Sequence, residues 1–280
     1  MCFENSSSVK RDGDLTRAAV LLLVFFLGQI GASAQDRASI QDVSFEAEVD
    51  GSVQHYVQIL PKEFNPSEKH NLLITLHGHG SDRWQFATGD IDQARAARDV
   101  AEEHGMIYVS PDYRASTSWM GPKAERDVVQ IISRVKKQFS IDGVLVSGAS
   151  MGGSSSLTFA VLHPDLVDGV VSINGTANHL EYENFQGAIR ESFGGTKQEI
   201  PMEYKNRSAE YFPERLTMPI AITAGGQDET VPPDSVLRLA KIVEKLNPDT
   251  LLLYRPEGGH STNYEDSRQA YEFVVDKMSR

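Results

Sequence analysis

Val144-Leu145-Val146-Ser147-Gly148-Ala149-Ser150-Met151-Gly152-Gly153 decides the fold. Three apolar, strand-favouring residues lead into small residues, a serine and two glycines, and the chain from Met151 to Leu162 then reads as a helix. A short apolar run that passes straight into helical sequence is a buried strand feeding a helix. The joint contains G-x-S-x-G, a weak pattern alone and a strong one between a strand and a helix. A serine hydroxyl is a poor nucleophile and must be presented clear of the backbone, which a tight turn achieves. Such a turn crowds the residues two before and two after the serine together, so only small residues such as Gly148 and Gly152 fit. The helix start also brings backbone N–H groups and a partial positive charge to the place where a tetrahedral oxyanion would form. Ser150 is the candidate nucleophile, and the N–H of Met151 is one candidate oxyanion donor.

On either side of this joint, strand and helix patterns alternate. Val53 to Leu60, Leu72 to Leu76, Met106 to Ser110, Gly143 to Ser147, Val167 to Ile173, Pro219 to Thr223 and Thr250 to Tyr254 read as strands. Ile91 to Glu103, Glu125 to Phe139, Ser235 to Leu246 and Ser267 to Met278 read as helices; the second puts Val128, Val129, Ile131, Ile132, Val135 and Phe139 on one stripe. Short connections between alternating elements imply an α/β fold, a doubly wound and mainly parallel sheet with helices on both faces. Only residues 175–218 break the rhythm. They are polar, carry Tyr182, Phe185, Tyr204, Tyr211 and Phe212, and are too long for an ordinary connection. They read as an insertion beside the site, whose aromatics either wall an acyl pocket or pack the insertion down.

The serine needs a base, and in a strand–elbow–helix arrangement the chain order is serine, acid, histidine. Of the eight histidines, only His260 lies beyond every acid position. It follows the strand Leu251 to Tyr254 in the loop Pro256-Glu257-Gly258-Gly259-His260, where two glycines allow close approach. The acid must hold the imidazole in one tautomer. Asp228 lies just past the strand Pro219 to Thr223, at the strand end where such sheets place their sites; Glu229 and Asp234 compete with it on the residues alone. A second oxyanion donor is expected from Leu76-His77-Gly78-His79-Gly80, at the N–H of His79. A metal site from His77 and His79 is the rival reading, and it lacks a third ligand; no metal and no cofactor are expected. Trp119, after a strand end, either lines a cleft for a sugar or aromatic ring or anchors its loop on the core. The first of these makes it a candidate substrate-binding residue.

Composition narrows the partners. Acidic residues outnumber basic ones 39 to 27, giving −12 over 280 residues. That balance disfavours holding phosphate backbones or anionic lipid, so no nucleic acid is expected. The single cysteine, Cys2, excludes an intrachain disulfide. Lys10, Arg11 and Arg17 precede the apolar run Ala18 to Leu27, and Ala32-Ser33-Ala34 supplies a small-x-small pattern. Basic, apolar and small residues in that order read as a signal peptide over 1–34, with 35–280 a single domain. Ten apolar residues make a helix of about 15 Å, half of a bilayer's hydrocarbon. Export, secreted or periplasmic, is therefore expected, with no membrane insertion after cleavage, although an uncleaved anchor is the alternative.

From about Tyr56 to Arg280 the chain resembles the α/β-hydrolase superfamily. Within it, the likeness is to polyhydroxyalkanoate-depolymerase, feruloyl-esterase and acetylxylan-esterase proteins, and to the catalytic domain of prolyl-oligopeptidase-type enzymes. The stretches that carry it are Leu76 to Gly80, Pro111-Asp112-Tyr113-Arg114, Ile141 to Gly153, Arg207-Ser208-Ala209, Gly225 to Pro232 and Gly259-His260. The resemblance implies Ser150, Asp228 and His260 as nucleophile, acid and base. Prolyl-oligopeptidase-type enzymes usually carry a propeller before the hydrolase domain, and only some twenty residues separate the expected cleavage point from the first clear strand here. The expectation is therefore a secreted serine esterase acting on a small-molecule or polymeric ester, such as an acylated polysaccharide or a polyester. A prolyl-oligopeptidase-like peptidase, or a hydrolase fold that binds without turnover, is the alternative.

Overall fold

The computed structural model describes residues 39–279; the expected signal peptide lies outside the described residues. In chain order, β1 (Ser39–Glu46), β2 (Val53–Leu60) and β3 (His70–Leu76) lead to α1 (Trp84–Thr88), α2 (Asp92–Glu103), β4 (Ile107–Pro111), α3 (Pro122–Gln138) and β5 (Ile141–Ala149). Then come α4 (Met151–Leu162), β6 (Gly169–Ile173), α5 (Gln186–Phe193) and α6 (Pro201–Asn206). The chain ends with β7 (Ile220–Gly225), α7 (Asp234–Leu246), β8 (Thr250–Arg255) and α8 (Tyr264–Met278). The strands form one eight-stranded sheet in the order β1-β2-β4-β3-β5-β6-β7-β8. β1 and β2 are antiparallel, β2 runs against β4, and the other six strands are parallel.

The α/β expectation holds, and the sheet's winding explains where the site falls. From β3 the chain crosses to β4 on one side, then returns past β3 to β5 on the other. At that reversal the connections after β3 and β5 lead to helices on opposite faces of the sheet, the arrangement that places sites at the carboxyl ends of the strands. Residues of α3, α4 and α7 pack on one face, with Val128, Ile131, Leu157, Phe159, Val236 and Leu239 in the same buried cluster as Leu72, Ile74, Val144 and Val146. Ala94, Ala97 and Val100 of α2 and Tyr271, Val274 and Val275 of α8 cover the other face against Leu73, Leu145 and Val171. Each fully buried Val, Leu or Ile contributes about 1.5–3 kcal/mol, so the alternating directions along β3 and β5 fix the register.

α4 differs from the other helices. Met151 to Val161 are all buried, so the helix is enclosed on every side and shows no polar stripe. Two of its three serines are satisfied locally: the Ser154 hydroxyl donates to the Ser150 carbonyl at 3.1 Å, and the Ser156 hydroxyl to the Gly153 carbonyl at 2.8 Å. Residues 175–218 fold over the α3–α4 side as α5, α6 and short turns, and Ile189, Phe193, Tyr204 and Leu216 join the core there. Arg207, 4% exposed, ties this segment down by donating to Glu125, Glu203 and the Met120 carbonyl at 2.6–2.8 Å. Among the described residues, no helix is long and apolar enough to cross a membrane.

Candidate active site

β5 ends at Ala149 and α4 begins at Met151, so the whole reversal falls on Ser150. It adopts φ 58°, ψ −118°, a backbone state that costs a residue with a side chain about 1–3 kcal/mol and persists only where the surroundings enforce it. The enforcement is visible. The Ser150 N–H donates to the Ile173 carbonyl of β6 at 2.8 Å. A Cβ on Gly152 would run into the backbone of Leu76 and His77, and one on Gly148 into Leu76 and Gly152. The elbow is wedged against the end of β3, and the serine hydroxyl is pushed outward.

His260 lies on the loop after β8. Its Nε2 is 2.8 Å from the Ser150 hydroxyl oxygen, and its Nδ1 is 2.7 Å from Oδ2 of Asp228. The other carboxylate oxygen of Asp228 accepts the backbone N–H groups of Thr230 and Val231 at 3.0 and 2.9 Å, and its side chain is 1% exposed. A buried carboxylate held on both oxygens fixes the imidazole with Nδ1–H toward the acid and a free lone pair toward the serine. Glu229 and Asp234, the competing acids, are exposed. The two loops that carry acid and base interlock: the N–H of Gly226 donates to the Arg255 carbonyl and that of Gln227 to the Gly258 carbonyl, both at 2.8 Å. A Cβ on Gly225 would overlap the Gly258–Gly259 backbone, which explains the glycines there.

The loop after β3 runs along the elbow, with Gly78 beside Ala149. Among the described residues, neither the His79 N–H nor the Met151 N–H donates to a protein acceptor, which leaves both available to an oxyanion. His77 is not open as a ligand: its ring nitrogens face the carbonyls of Gly78 and Asp112 at 2.8 and 3.0 Å. Among the described residues, no group of three or more His, Cys, Asp or Glu side chains is placed to hold a metal ion.

The substrate-facing role expected for Trp119 is corrected by the structure. Trp119 is fully buried, and its indole N–H donates to His79 Nδ1 at 3.3 Å. Trp119 and Met120 both take positive φ, 47° and 55°, which turns the indole inward. The accepting Nδ1 is unprotonated, so a neutral His79 carries its proton on Nε2; burial also pushes its pKa below the ordinary histidine value. Phe185, from the 175–218 segment, covers the same imidazole with ring centroids 4.4 Å apart. Tyr182, from the same segment, donates its hydroxyl to the Thr230 carbonyl at 2.8 Å and so braces the acid loop. Burial, reinforced by the Asp228 charge, raises the Tyr182 phenol pKa, which keeps it a donor. Trp119→Phe keeps the volume and deletes the N–H. It is expected to lower kcat by about fivefold, the worth of one hydrogen bond of about 1 kcal/mol, with KM unchanged. A large rise in KM with kcat intact would return Trp119 to the ligand.

A strand–elbow–helix serine, bonded to a histidine that a buried carboxylate orients, on a sheet of this winding, defines a serine hydrolase of the α/β-hydrolase fold. Residues 94–279 match the family model of the prolyl oligopeptidase family; the chain belongs to that family. Solved structures share the fold. A putative dipeptidyl aminopeptidase IV from Bacteroides ovatus matches at TM-score 0.69 and 19% identity, over 87% of this chain and 36% of that one. Puromycin hydrolase matches at TM-score 0.69 and 18% identity, over 88% and 39%. Fluorophosphonate-binding serine hydrolase F of Staphylococcus aureus matches at TM-score 0.64 and 18% identity, over 87% and 99%. The chain thus spans well under half the length of the first two. No curated protein matches it in sequence.

Proposed function

We propose that this hydrolase cleaves amide bonds in short peptides through an acyl-enzyme on Ser150. His260 is the general base and then the general acid, Asp228 is its orienting partner, and the N–H groups of Met151 and His79 are the oxyanion donors. The observation that carries the chemistry is the continuous hydrogen-bonded path from Asp228 Oδ2 through His260 to the Ser150 hydroxyl. Membership of the prolyl oligopeptidase family over residues 94–279 supports peptides above the esters expected from the sequence. His260 takes the serine proton as the hydroxyl adds to the carbonyl, and hands it to the departing nitrogen as the C–N bond breaks. Water then adds to the acyl-enzyme with the same proton movements reversed, releasing the acid and restoring Ser150.

A carboxylic esterase is the second reading, favoured by the same serine–histidine–carboxylate path, which serves an ester carbonyl as well as an amide. An alkoxide leaves more readily than an amine, so turnover of an aryl ester does not separate the two; an amide does. The separating experiment compares aminoacyl and N-acylaminoacyl p-nitroanilides and short peptides with p-nitrophenyl esters. The peptidase reading expects release of p-nitroaniline and of free amino groups, both abolished in Ser150→Ala. Ester turnover with no amide or peptide cleaved replaces it with the esterase. The basic, apolar and small-residue order at the N-terminus supports an exported protein that meets peptide or ester fragments outside the cytoplasm.

A further inference from the structure

The loop that carries His260 is held by a side chain outside the triad. Asn174 directly follows β6, is 4% exposed, and sits at φ 46°, a left-handed state that asparagine tolerates better than most residues. Its Nδ2 donates to the Gly259 carbonyl at 3.4 Å. Its Oδ1 accepts a short hydrogen bond from the Thr262 hydroxyl, and the hydroxyls of Thr262 and Thr223 lie 2.7 Å apart. Each hydroxyl has one proton; with Thr262 donating to Asn174, Thr223 donates to Thr262. Gly259 immediately precedes His260 and Thr262 is two residues beyond it, so one amide group grips the chain on both sides of the base.

The other end of the connection is equally direct. Ile173, the residue before Asn174, accepts the Ser150 N–H. Two adjacent residues therefore anchor the nucleophile's backbone and the base's loop. Behind that loop lies a cavity of about 130 Å³ lined by Asn174, Thr223, Gly258, Ser261, Thr262 and Asp266, among others. On this side the loop faces open space, so the Asn174 amide acts where close packing is absent, in addition to the contacts with Gly225 to Gln227.

We propose that Asn174 is a positioning residue, whose amide sets the reach of the His260 imidazole to the Ser150 hydroxyl. An amide supplies the acceptor for Thr262 and the donor for Gly259 on two separate atoms of one rigid group. The proposal rests on the triad reading above.

Asn174→Gly removes the side chain while leaving a residue at ease with positive φ. On a chromogenic ester, kcat is expected to fall by about 10- to 100-fold, the scale of a small misplacement of reacting groups. KM should stay within about twofold, and the rate of labelling by a fluorophosphonate probe should fall with kcat. Thr262→Val should lower kcat in the same manner and Thr262→Ser, which keeps the hydroxyl, should restore it; this pair decides the matter if Asn174→Gly does not fold. The double variant should lose less than the product of the single losses, because both cut one tether. A folded Asn174→Gly with kcat within about twofold of wild type, or a Thr262→Val equal to Thr262→Ser, overturns the proposal. Ser150→Ala, run alongside, separates the failures: turnover retained there removes the triad reading itself, whereas turnover lost there with Asn174→Gly intact removes only the tether.

Discussion

Ser150→Ala is expected to lower kcat on any substrate by about three or more orders of magnitude and to abolish covalent labelling by a fluorophosphonate probe. The fold should survive. The Ser150 N–H, which anchors the elbow to Ile173, is kept, and among the described residues the lost hydroxyl hydrogen-bonds only to His260. Removing it leaves the imidazole of His260, with 31% of its side chain exposed, free to bond water. Thermal unfolding should therefore shift little while turnover vanishes. Residual activity at wild-type level would mean that another group attacks, and unlabelled wild-type protein would mean a hydrolase fold that binds without turning over.

The second large effect belongs to the wedge beneath that serine. Gly152→Ala places a methyl group against the Leu76 carbonyl, with the backbone of His77 close behind. These are strand-end and loop backbone atoms that cannot rotate away. Overpacking of this kind costs about 3 kcal/mol, or about 10 °C in Tm for a domain of this length. Relief requires the elbow and the β3 loop to part, which carries the Met151 and His79 N–H groups away from each other. Turnover should accordingly fall by about 100-fold or more. Gly187→Ala in α5 is the control, since a Cβ there meets nothing within 4 Å; its stability should be unchanged or slightly raised. Wild-type stability and activity in Gly152→Ala would show that the elbow is not pressed against β3.

The β/α alternation was legible because the parallel strands are buried on both faces and so appear as unbroken apolar runs. β1 escaped that reading. Ser39-Ile40-Gln41-Asp42-Val43-Ser44-Phe45-Glu46 is an edge strand with most positions exposed, and its polar residues mask the pattern. The five-residue helix α1 is too short to show a period. At the site, chain order singled out His260, and the elbow singled out Ser150. The choice of Asp228 over Glu229 needed the resemblance to known hydrolases, because one residue of separation decides which carboxylate turns inward, and only the Thr230 and Val231 N–H groups fix that. The sequence leaves Trp119 open between two roles because an aromatic after a strand end looks the same whether it faces ligand or core; two consecutive left-handed residues are not visible in composition. Asn174 left one faint mark, an Asn-Gly pair closing an apolar strand, which signals a left-handed turn and says nothing of the distant loop it holds. The preference for esters came from the resemblance to secreted esterases and from the few residues between the expected cleavage point and the first clear strand, whereas the family match lies in the hydrolase domain itself.

The serine and the imidazole it bonds are 110 residues apart in the chain, joined only through strands that must first dock side by side. Contacts of such long sequence separation are closed late, because loop entropy is spent before they return anything. On refolding from denaturant, helical signal should reappear before catalysis does. Enzymatic competence is thus a stricter gauge of a finished molecule than any measure of its secondary structure.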